Sequence, residues 1–240
     1  ELIGRAGTGV DNIDVVAAAN KNIIVMNTPG CNTISAAEHT MSLLLSMCRQ
    51  IPQANSSLKN GKWDRKSFNG IELFGKTFGI IGLGKIGSEV AIRAKSFGMN
   101  LVGFDPLVSQ EIASELGIKL LRLEEIYPIA DFISLHVPLT DETKNLLSKE
   151  TLQKCKKGVR IINCARGGVI NESDLLDALN EGHVAGAAID VFEYEPVTDF
   201  NLINHPNVIA TPHLAASTLE AQEKVAVQLG NQILDWIVKE

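Results

Sequence analysis

The stretch from Thr77 to Gly87 constrains the fold more than any other part of this 240-residue chain. An apolar run over residues 77–81 leads directly into the pattern Gly82-x-Gly84-x-x-Gly87. In a strand–turn–helix unit the first glycine allows a tight turn, and the second lets a pyrophosphate approach the backbone. The third permits close packing of helix and sheet. Glycine triplets also occur in ordinary loops, so this pattern needs support from its context.

That context is a second apolar run, residues 101–104, which ends in Asp105. Asp105 follows Gly82 by about 20 residues. At this spacing in a βαβ unit, an acidic side chain accepts a hydrogen bond from a ribose 2′-hydroxyl. The N-terminus of the intervening helix favours an anion, because its free N–H groups and its dipole point at the ligand. The sequence therefore predicts a dinucleotide-binding βαβ unit.

Composition narrows the class of protein. The chain is 45% hydrophobic and 21% charged with a formal net charge of −6, which is ordinary for a globular protein and argues against a nucleic-acid partner. No apolar run is long enough to span a membrane, and no cleavable signal pattern opens the chain. We expect no metal, because no cysteine pair has zinc-site spacing, and a reducing, cytoplasmic location. The chain does not begin with Met, and we expect a fragment. The cysteines are Cys31, Cys48, Cys155 and Cys164.

From Thr77 onward apolar strands alternate with amphipathic helices. The strand runs are continuously apolar, as expected of a parallel sheet buried on both faces. This order predicts an α/β fold with a doubly wound parallel sheet. The six predicted strands are 77–81, 101–104, 131–135, 159–163, 185–189 and 208–210. The predicted helices are 87–97, 110–116, 123–127, 148–155 and 172–181.

Three segments outside the predicted sheet contain further sequence patterns. Arg5 stands beside a glycine-rich turn, which is either a βα turn with a solvated guanidinium or an anion cradle. Residues 35–70 form a long helix and an exposed arm, predicted either as a dimer contact or as a helix packed on its own subunit. Capping boxes at Ser35-x-x-Glu38 and Ser217-x-x-Glu220 predict two helix starts, the second before an apolar stripe interpreted as core.

Polar residues follow three of the predicted strands. Arg166 comes after strand 159–163, Glu195 after strand 185–189, and His213 after strand 208–210. Ligands of open α/β sheets bind outside the carboxyl ends of the strands. A histidine beside a carboxylate is a natural acid/base near neutral pH, and an arginine offers a planar fork for a carboxylate or carbonyl. Taken singly, His213 would be an ordinary loop histidine, as would His136, and Arg166 would form a surface ion pair. Together, Arg166, Glu195 and His213 at three strand ends predict a catalytic cluster.

Taken together, these motifs resemble the D-isomer-specific 2-hydroxyacid dehydrogenase family, and the resemblance covers nearly the whole chain. Where many relatives have Arg in the glycine loop, this chain has Lys85, a point charge in place of a fork. The matching stretches are 5–12, 63–66, 82–87, 156–159, 163–168, 188–192 and 212–213.

The resemblance implies a reaction and a set of roles. His213 accepts the hydroxyl proton of the substrate, Glu195 pairs with His213, and Arg166 holds the substrate's carboxylate and carbonyl region while hydride passes to NAD. The implied substrate is the small molecule 3-phosphoglycerate. The implied cofactor-binding residues are Thr8, Gly82, Gly84, Lys85, Ile86, Gly87, Asp105, Cys164, Ala165, Arg166, Asp190, His213 and Ala215. The implied substrate-binding residues are Arg5, Gly7, Asn32, Arg65, Arg166 and His213.

The resemblance also implies a domain plan: a Rossmann nucleotide-binding domain with parts of a second, smaller substrate domain. We expect residues 1–28 to belong to the substrate domain, 29–214 to be the NAD-binding domain with the dimerisation helix and arm at 35–70, and 215–240 to return to the substrate domain. A homodimer or tetramer is expected, with no nucleic acid or membrane partner. The alternatives are a glyoxylate or hydroxypyruvate reductase of the same family, or a dinucleotide-sensing corepressor-like scaffold of the same fold.

Overall fold

The structure is a computed structural model that describes residues 1–10 and 12–239. Asp11 of the glycine-rich motif 5–12 therefore lies outside the described residues. The chain divides into two compact units, one made of Glu1–Ala36 with Ala215–Glu240 and the other of Ala37–Leu214. The functional domain boundaries expected from the sequence, at residues 28 and 214, stay predictions.

The elements follow one another along the chain as strands and helices. The strands are β1 Leu2–Gly4, β2 Ile24–Met26, β3 Thr77–Ile81, β4 Asn100–Phe104, β5 Ile118–Leu120, β6 Phe132–Leu135, β7 Val159–Asn163, β8 Val184–Ile189 and β9 Val208–Ala210. The helices are α1 Val15–Asn20, α2 Thr33–Arg49, α3 Ile51–Lys59, α4 Lys85–Ser96, α5 Gln110–Glu115, α6 Leu123–Ile126, α7 Lys149–Lys154, α8 Glu172–Asn180 and α9 Leu219–Lys239, with a short 3₁₀ turn at Arg65–Ser67.

The larger unit is built on a parallel sheet. Its strand order in the described residues is β5-β4-β3-β6-β7-β8-β9, and every neighbouring pair is parallel. The order reverses between β3 and β6, which is the switch point where doubly wound sheets bind ligands. The predicted α/β fold class is confirmed.

One strand of this sheet was not predicted. The strand β5 is three residues long, and among the described strands it pairs with β4 alone, through Leu101 and Ile118. Three residues with Lys119 in the middle give no apolar run, so pairing at the sheet edge defines this strand and its own sequence does not.

The sheet's core explains the apolar strands. Phe78 and Phe132 on adjacent strands are fully buried and meet edge to face, with ring centroids 6.4 Å apart. Helix α4 packs on the sheet through the buried side chains of Val90, Ala91 and Ala94. Because the strands are rigidly packed and parallel, the loops at their carboxyl ends are held along one edge.

Both predicted capping boxes are wrong in detail. Helix α2 begins at Thr33, two residues before Ser35, whose hydroxyl donates to the Ala215 carbonyl at 2.6 Å. Helix α9 begins at Leu219, and the hydroxyl of Thr218 accepts from the Ala221 N–H at 3.2 Å. In α9 the neighbouring Thr218 takes the cap position that the pattern assigned to Ser217, whereas in α2 Ser35 lies inside the helix and its hydroxyl bonds to a distant carbonyl.

The smaller unit contains a short parallel pair and the last helix. The strands β1 and β2 pair in parallel, with Leu2 opposite Ile24. Leu229 and Ile233 of α9 lie so close to Gly4 that a Cβ there would be 3.3 Å from Leu229 and 3.5 Å from Ile233. The apolar stripe of α9 thus packs on β1. Over residues 1–10 and 12–239, no helix has the length and apolarity needed to cross a membrane.

Candidate active site

The glycine loop after β3 forms the first wall of the site. Gly82 has φ +94°, and a Cβ there would lie 2.5 Å from the His136 carbonyl oxygen. A Cβ at Gly87 would lie 2.0 Å from the Gly82 carbonyl oxygen, so the first turn of α4 needs glycine to pack this closely. Gly84, the residue preceding α4, is different, because a Cβ there would have no neighbour within 4 Å among the described atoms. The open side of Gly84 and the start of the helix fit the pyrophosphate of a dinucleotide.

Asp105 braces this loop from the end of β4. One carboxylate oxygen accepts from the Leu83 N–H at 2.7 Å, and the other accepts from the Leu107 N–H at 2.8 Å. Each oxygen of a carboxylate has a further lone pair. The carboxylate is therefore oriented by the backbone and still able to accept from ribose hydroxyls.

Two other ionisable groups near the strand ends are unsuited to acid–base or nucleophilic chemistry at neutral pH. Burial lowers the pKa of His136 to about 4, and its Nε2 lies 2.9 Å from the Ser134 hydroxyl. Burial raises the pKa of the Cys164 thiol to about 12. At neutral pH the imidazole is thus uncharged and the thiol protonated, so neither is suited to proton transfer or nucleophilic attack.

Arg166 is held by the turn that ends β7. Asn163 is buried, and its side-chain amide donates to the Arg166 carbonyl at 2.9 Å while its oxygen accepts from the Ala165 N–H at 3.0 Å. The Arg166 guanidinium donates to the Ala165 carbonyl at 2.7 Å. The predicted substrate arginine therefore stands at the carboxyl end of β7 in a turn with little freedom.

His213 and Glu195 form a close pair. The His213 Nδ1 is 2.7 Å from one oxygen of Glu195, and the other oxygen accepts from the Phe192 N–H at 3.0 Å. Because a carboxylate accepts, Nδ1 carries the proton. The Nε2 of this half-exposed ring is then the nitrogen that can take a proton from a substrate. His213 itself has φ +54°, which is unusual for a residue with a side chain.

Asp190 forms hydrogen bonds with the segment that contains His213. This carboxylate is fully buried, and one oxygen accepts from the Leu214 N–H at 2.8 Å and from the Thr211 hydroxyl at 2.5 Å. The Asp190 carbonyl accepts from the His213 N–H at 2.8 Å. The resemblance implies that Asp190 lines the cofactor, and this role stays a prediction. The contacts described here also hold the loop that carries His213.

Two residues of the site were missed by the sequence analysis. His39, on α2, places its Nε2 3.2 Å from the Asp190 carboxylate, although the two residues are 151 positions apart. Glu172, at the start of α8, accepts from the Glu193 N–H at 2.7 Å and so braces the turn that leads to Glu195. Burial raises the pKa of Glu172, and the charges of Glu193, Asp199 and Glu195 add to that rise. No local motif marks either residue, since each partner is brought by the fold.

The predicted residues of the smaller unit cluster around its glycine turn. The Thr8 hydroxyl donates to the Asn32 side-chain oxygen at 2.9 Å, and the Gly7 N–H donates to the Thr28 hydroxyl at 3.0 Å. Among the described residues, the buried Nε of Arg5 has no hydrogen-bond acceptor. A buried donor beside a glycine turn favours the anion cradle over the solvated arginine.

Ala215 and Arg65 are also predicted site residues, and their roles stay predictions. Ala215 accepts the Ser35 hydroxyl through its carbonyl. Arg65 is exposed in the 3₁₀ turn of the arm. Within the described part of the chain, no group of three or more His, Cys, Asp or Glu side chains could hold a metal ion.

Comparison with protein families decides the family of this chain. The family model for the D-isomer specific 2-hydroxyacid dehydrogenase, NAD binding domain matches residues 41–215. The chain belongs to the D-isomer specific 2-hydroxyacid dehydrogenase family. The resemblance found in the sequence is confirmed, and so is NAD as the cofactor of this domain.

Curated dehydrogenases of this family include similar chains. D-3-phosphoglycerate dehydrogenase from Rattus norvegicus is 54% identical over 237 residues, covering 99% of this chain and 44% of the relative. The Bacillus subtilis protein of the same name is 56% identical over 236 residues, covering 98% of this chain and 45% of the relative. The chain thus spans less than half the length of these curated relatives.

Solved structures of other family members share the fold. Apo D-lactate dehydrogenase from Escherichia coli has a TM-score of 0.93 and 31% identity, covering 100% of this chain and 76% of that one. A glyoxylate reductase from Paecilomyes thermophila has a TM-score of 0.90 and 34% identity, covering 97% and 71%. The names differ in substrate, so the dehydrogenase fold alone does not choose one.

Proposed function

We propose that this protein carries out NAD-dependent oxidation of D-3-phosphoglycerate to 3-phosphohydroxypyruvate, the first step of L-serine biosynthesis. The 2.7 Å contact between His213 and Glu195, at the sheet edge that also carries the glycine loop, is the observation that supports the reaction class. The substrate is inferred from the curated relatives, which are more than half identical.

The chemistry assigned to the chain's own residues is proton transfer and orientation. His213 accepts the hydroxyl proton of the substrate at Nε2, because Nδ1 already donates to Glu195. Glu195 stabilises the imidazolium that results and keeps the ring in one orientation. Arg166 presents a planar fork to the carboxylate and carbonyl of the substrate. When bound, the nicotinamide ring supplies the acceptor for the hydride from C2.

Asp105 supports a preference for NAD over NADP. Its carboxylate is held at the end of β4 by two backbone N–H groups, where it can accept from a ribose hydroxyl. A 2′-phosphate in the same place would meet a like charge at short range. That repulsion corresponds to a preference for NAD on the order of hundredfold.

The anionic groups of the substrate are assigned to the arginines outside the catalytic pair. We propose that Arg5, Gly7 and Asn32 of the smaller unit contact the carboxylate or the phosphate, and the unpartnered Nε of Arg5 supports this; Arg65 of the larger unit is a separate candidate for an anionic group. Thr8, Lys85, Ile86, Cys164, Ala165 and Ala215 are proposed to line the cofactor. The homo-oligomer and the cytoplasmic location expected from the sequence stay predictions.

Initial rates of NADH formation by the complete protein test the proposal. We expect D-3-phosphoglycerate to be oxidised far faster than D-lactate or D-glycerate, and NAD to be preferred over NADP. Faster glyoxylate or hydroxypyruvate reduction with NADPH would favour the reductase alternative. NAD binding without turnover of any 2-hydroxy acid would favour the scaffold.

A further inference from the structure

We propose that His39 is a positioning residue for His213, acting through Asp190 and Thr211; this inference rests on the proposed role of His213. No sequence motif gives His39 a function, and it lies on α2, far along the chain from the catalytic loop. Its ring nevertheless contacts two of the groups that fix the loop's backbone.

The contacts of His39 determine which nitrogen carries its proton. The His39 Nε2 lies 3.2 Å from the Asp190 oxygen and 3.1 Å from the Thr211 hydroxyl oxygen. The Thr211 hydroxyl gives its hydrogen to the same Asp190 oxygen, and a carboxylate only accepts. The Nε2 must therefore be protonated, with its N–H shared between two acceptors.

The buried carboxylate needs these donors. Asp190 has no exposed surface, and burying an ionised group is costly unless hydrogen bonds compensate it. Leu214, Thr211 and His39 all contact its side chain. Removing His39 would weaken the compensation and leave the Thr211 hydroxyl with one partner fewer.

The same carboxylate residue holds the backbone on both sides of the catalytic histidine. The Asp190 carbonyl accepts the His213 N–H, and its side chain accepts the Leu214 N–H. His213 has a left-handed backbone, φ +54°, a conformation that persists only when the surroundings impose it. We infer that His39 keeps Asp190 in place, that Asp190 keeps His213 in this conformation, and that Nδ1 thereby stays on Glu195.

Substitution of His39 tests this chain of contacts in the 240-residue protein. In His39→Ala, we expect amide hydrogen exchange at His213 and Leu214 to be about tenfold faster, as loss of a hydrogen bond to a buried charge predicts. The hydrogen-bonded Nδ1 proton of His213, followed by NMR, should shift toward a weaker bond. Amides of the central strand β3 should change only as much as global stability does.

Conservative variants separate positioning from general destabilisation. His39→Gln should restore slow exchange, because its amide nitrogen reaches about as far as Nε2, whereas the shorter His39→Asn should not. The matched control is His183→Ala, which removes a histidine bonded to the Cys155 carbonyl at 3.0 Å, next to the amino end of β8. This control should leave the His213 signal unchanged.

Kinetics of the complete protein provide the second readout. His39→Ala should lower kcat for the preferred 2-hydroxy acid while the Kd for NAD, measured by calorimetry, stays the same. Unchanged exchange and NMR signals in His39→Ala, or equal changes in His183→Ala, would overturn the inference. If no 2-hydroxy acid is oxidised while His39→Ala still releases the His213 loop, the proposed function fails and the positioning contact stands.

Discussion

At the scale of single residues, two histidines follow strand ends, and their surroundings give them different chemistry. His136 is packed against Ser134 and has a pKa lowered by burial to about 4. His213 is half exposed, with one nitrogen on Glu195. Only the second has a ring nitrogen available to a substrate and a carboxylate to stabilise its charge, so it is the candidate acid/base.

Replacing Glu195 by glutamine should nearly stop turnover. The carboxylate uses one oxygen for the Phe192 N–H and the other for His213, and glutamine has a single acceptor oxygen for the two donors. We expect kcat to fall by roughly two to four orders of magnitude, the range for loss of acid–base catalysis, with NAD affinity unchanged. The neighbouring Glu193→Gln is the control. Near-normal turnover in Glu195→Gln, measured by NADH formation, would contradict the assignment.

His136 should make the protein less stable as the pH falls. The ordinary pKa of 6.5 applies to the unfolded chain, so that state binds a proton as pH drops below 6.5, while the folded state resists protonation until about pH 4. The contribution of His136 to the free energy of unfolding is therefore unchanged above pH 6.5. As the pH falls from 6.5 toward 4, the free energy of unfolding decreases by up to about 3 kcal/mol.

Urea unfolding at pH 7 and pH 5 measures this effect. The loss of unfolding free energy between the two pH values should be about 2 kcal/mol larger for the natural chain than for His136→Gln, because other titrating groups cancel in the difference. Equal losses in the two proteins would show that His136 is protonated alike in the folded and unfolded states.

At the scale of elements, the turn from β3 into α4 contains glycines that are required for two different reasons. Gly87 is needed for folding, since a Cβ there would meet the Gly82 carbonyl at 2.0 Å. Gly84 faces open space, so the folded chain itself makes no such demand there. The requirement at Gly84 comes from a ligand that must approach the backbone.

Alanine at these two positions should therefore give opposite results. Gly87→Ala should lower the free energy of unfolding by about 1–3 kcal/mol or more, the cost of overpacking. Gly84→Ala should lower the free energy of unfolding by only about 1 kcal/mol or less, because alanine is a poorer helix N-cap than glycine, yet it should weaken NAD binding strongly. Thermal unfolding with NAD calorimetry separates the two. Normal NAD affinity in Gly84→Ala would show that the pyrophosphate lies elsewhere.

At the scale of the whole molecule, the strand order brings distant loops to one edge. The glycine loop, the Arg166 turn, the Glu195 turn and the His213 segment follow β3, β7, β8 and β9, which lie in one parallel sheet. Their convergence is a property of the topology, because parallel strands all end at the same edge.

The predicted homodimer, in which residues 35–70 contact a second copy of the chain, also concerns the whole molecule. On α3, Ile51 is 54% and Leu58 is 58% exposed in the single chain. If these side chains meet a second copy, Ile51→Asp and Leu58→Asp should convert a dimer to monomers in sedimentation equilibrium. The control is Ile112→Asp on α5, also 54% exposed, which should leave the oligomer unchanged. A natural chain that sediments as a monomer would refute the prediction.

The sequence by itself determined the features that depend on neighbouring residues. The glycine loop, Asp105, the apolar strands and the residues at the strand ends are all visible locally, because turns, strands and the βαβ spacing impose short-range patterns. The edge strand β5 and the true helix starts were not, since pairing with β4 and competing hydrogen bonds define them. The contact of His39 with Asp190 joins residues 151 positions apart. Only tertiary structure decides such a contact, because a buried carboxylate takes its donors from whatever elements the packing brings beside it.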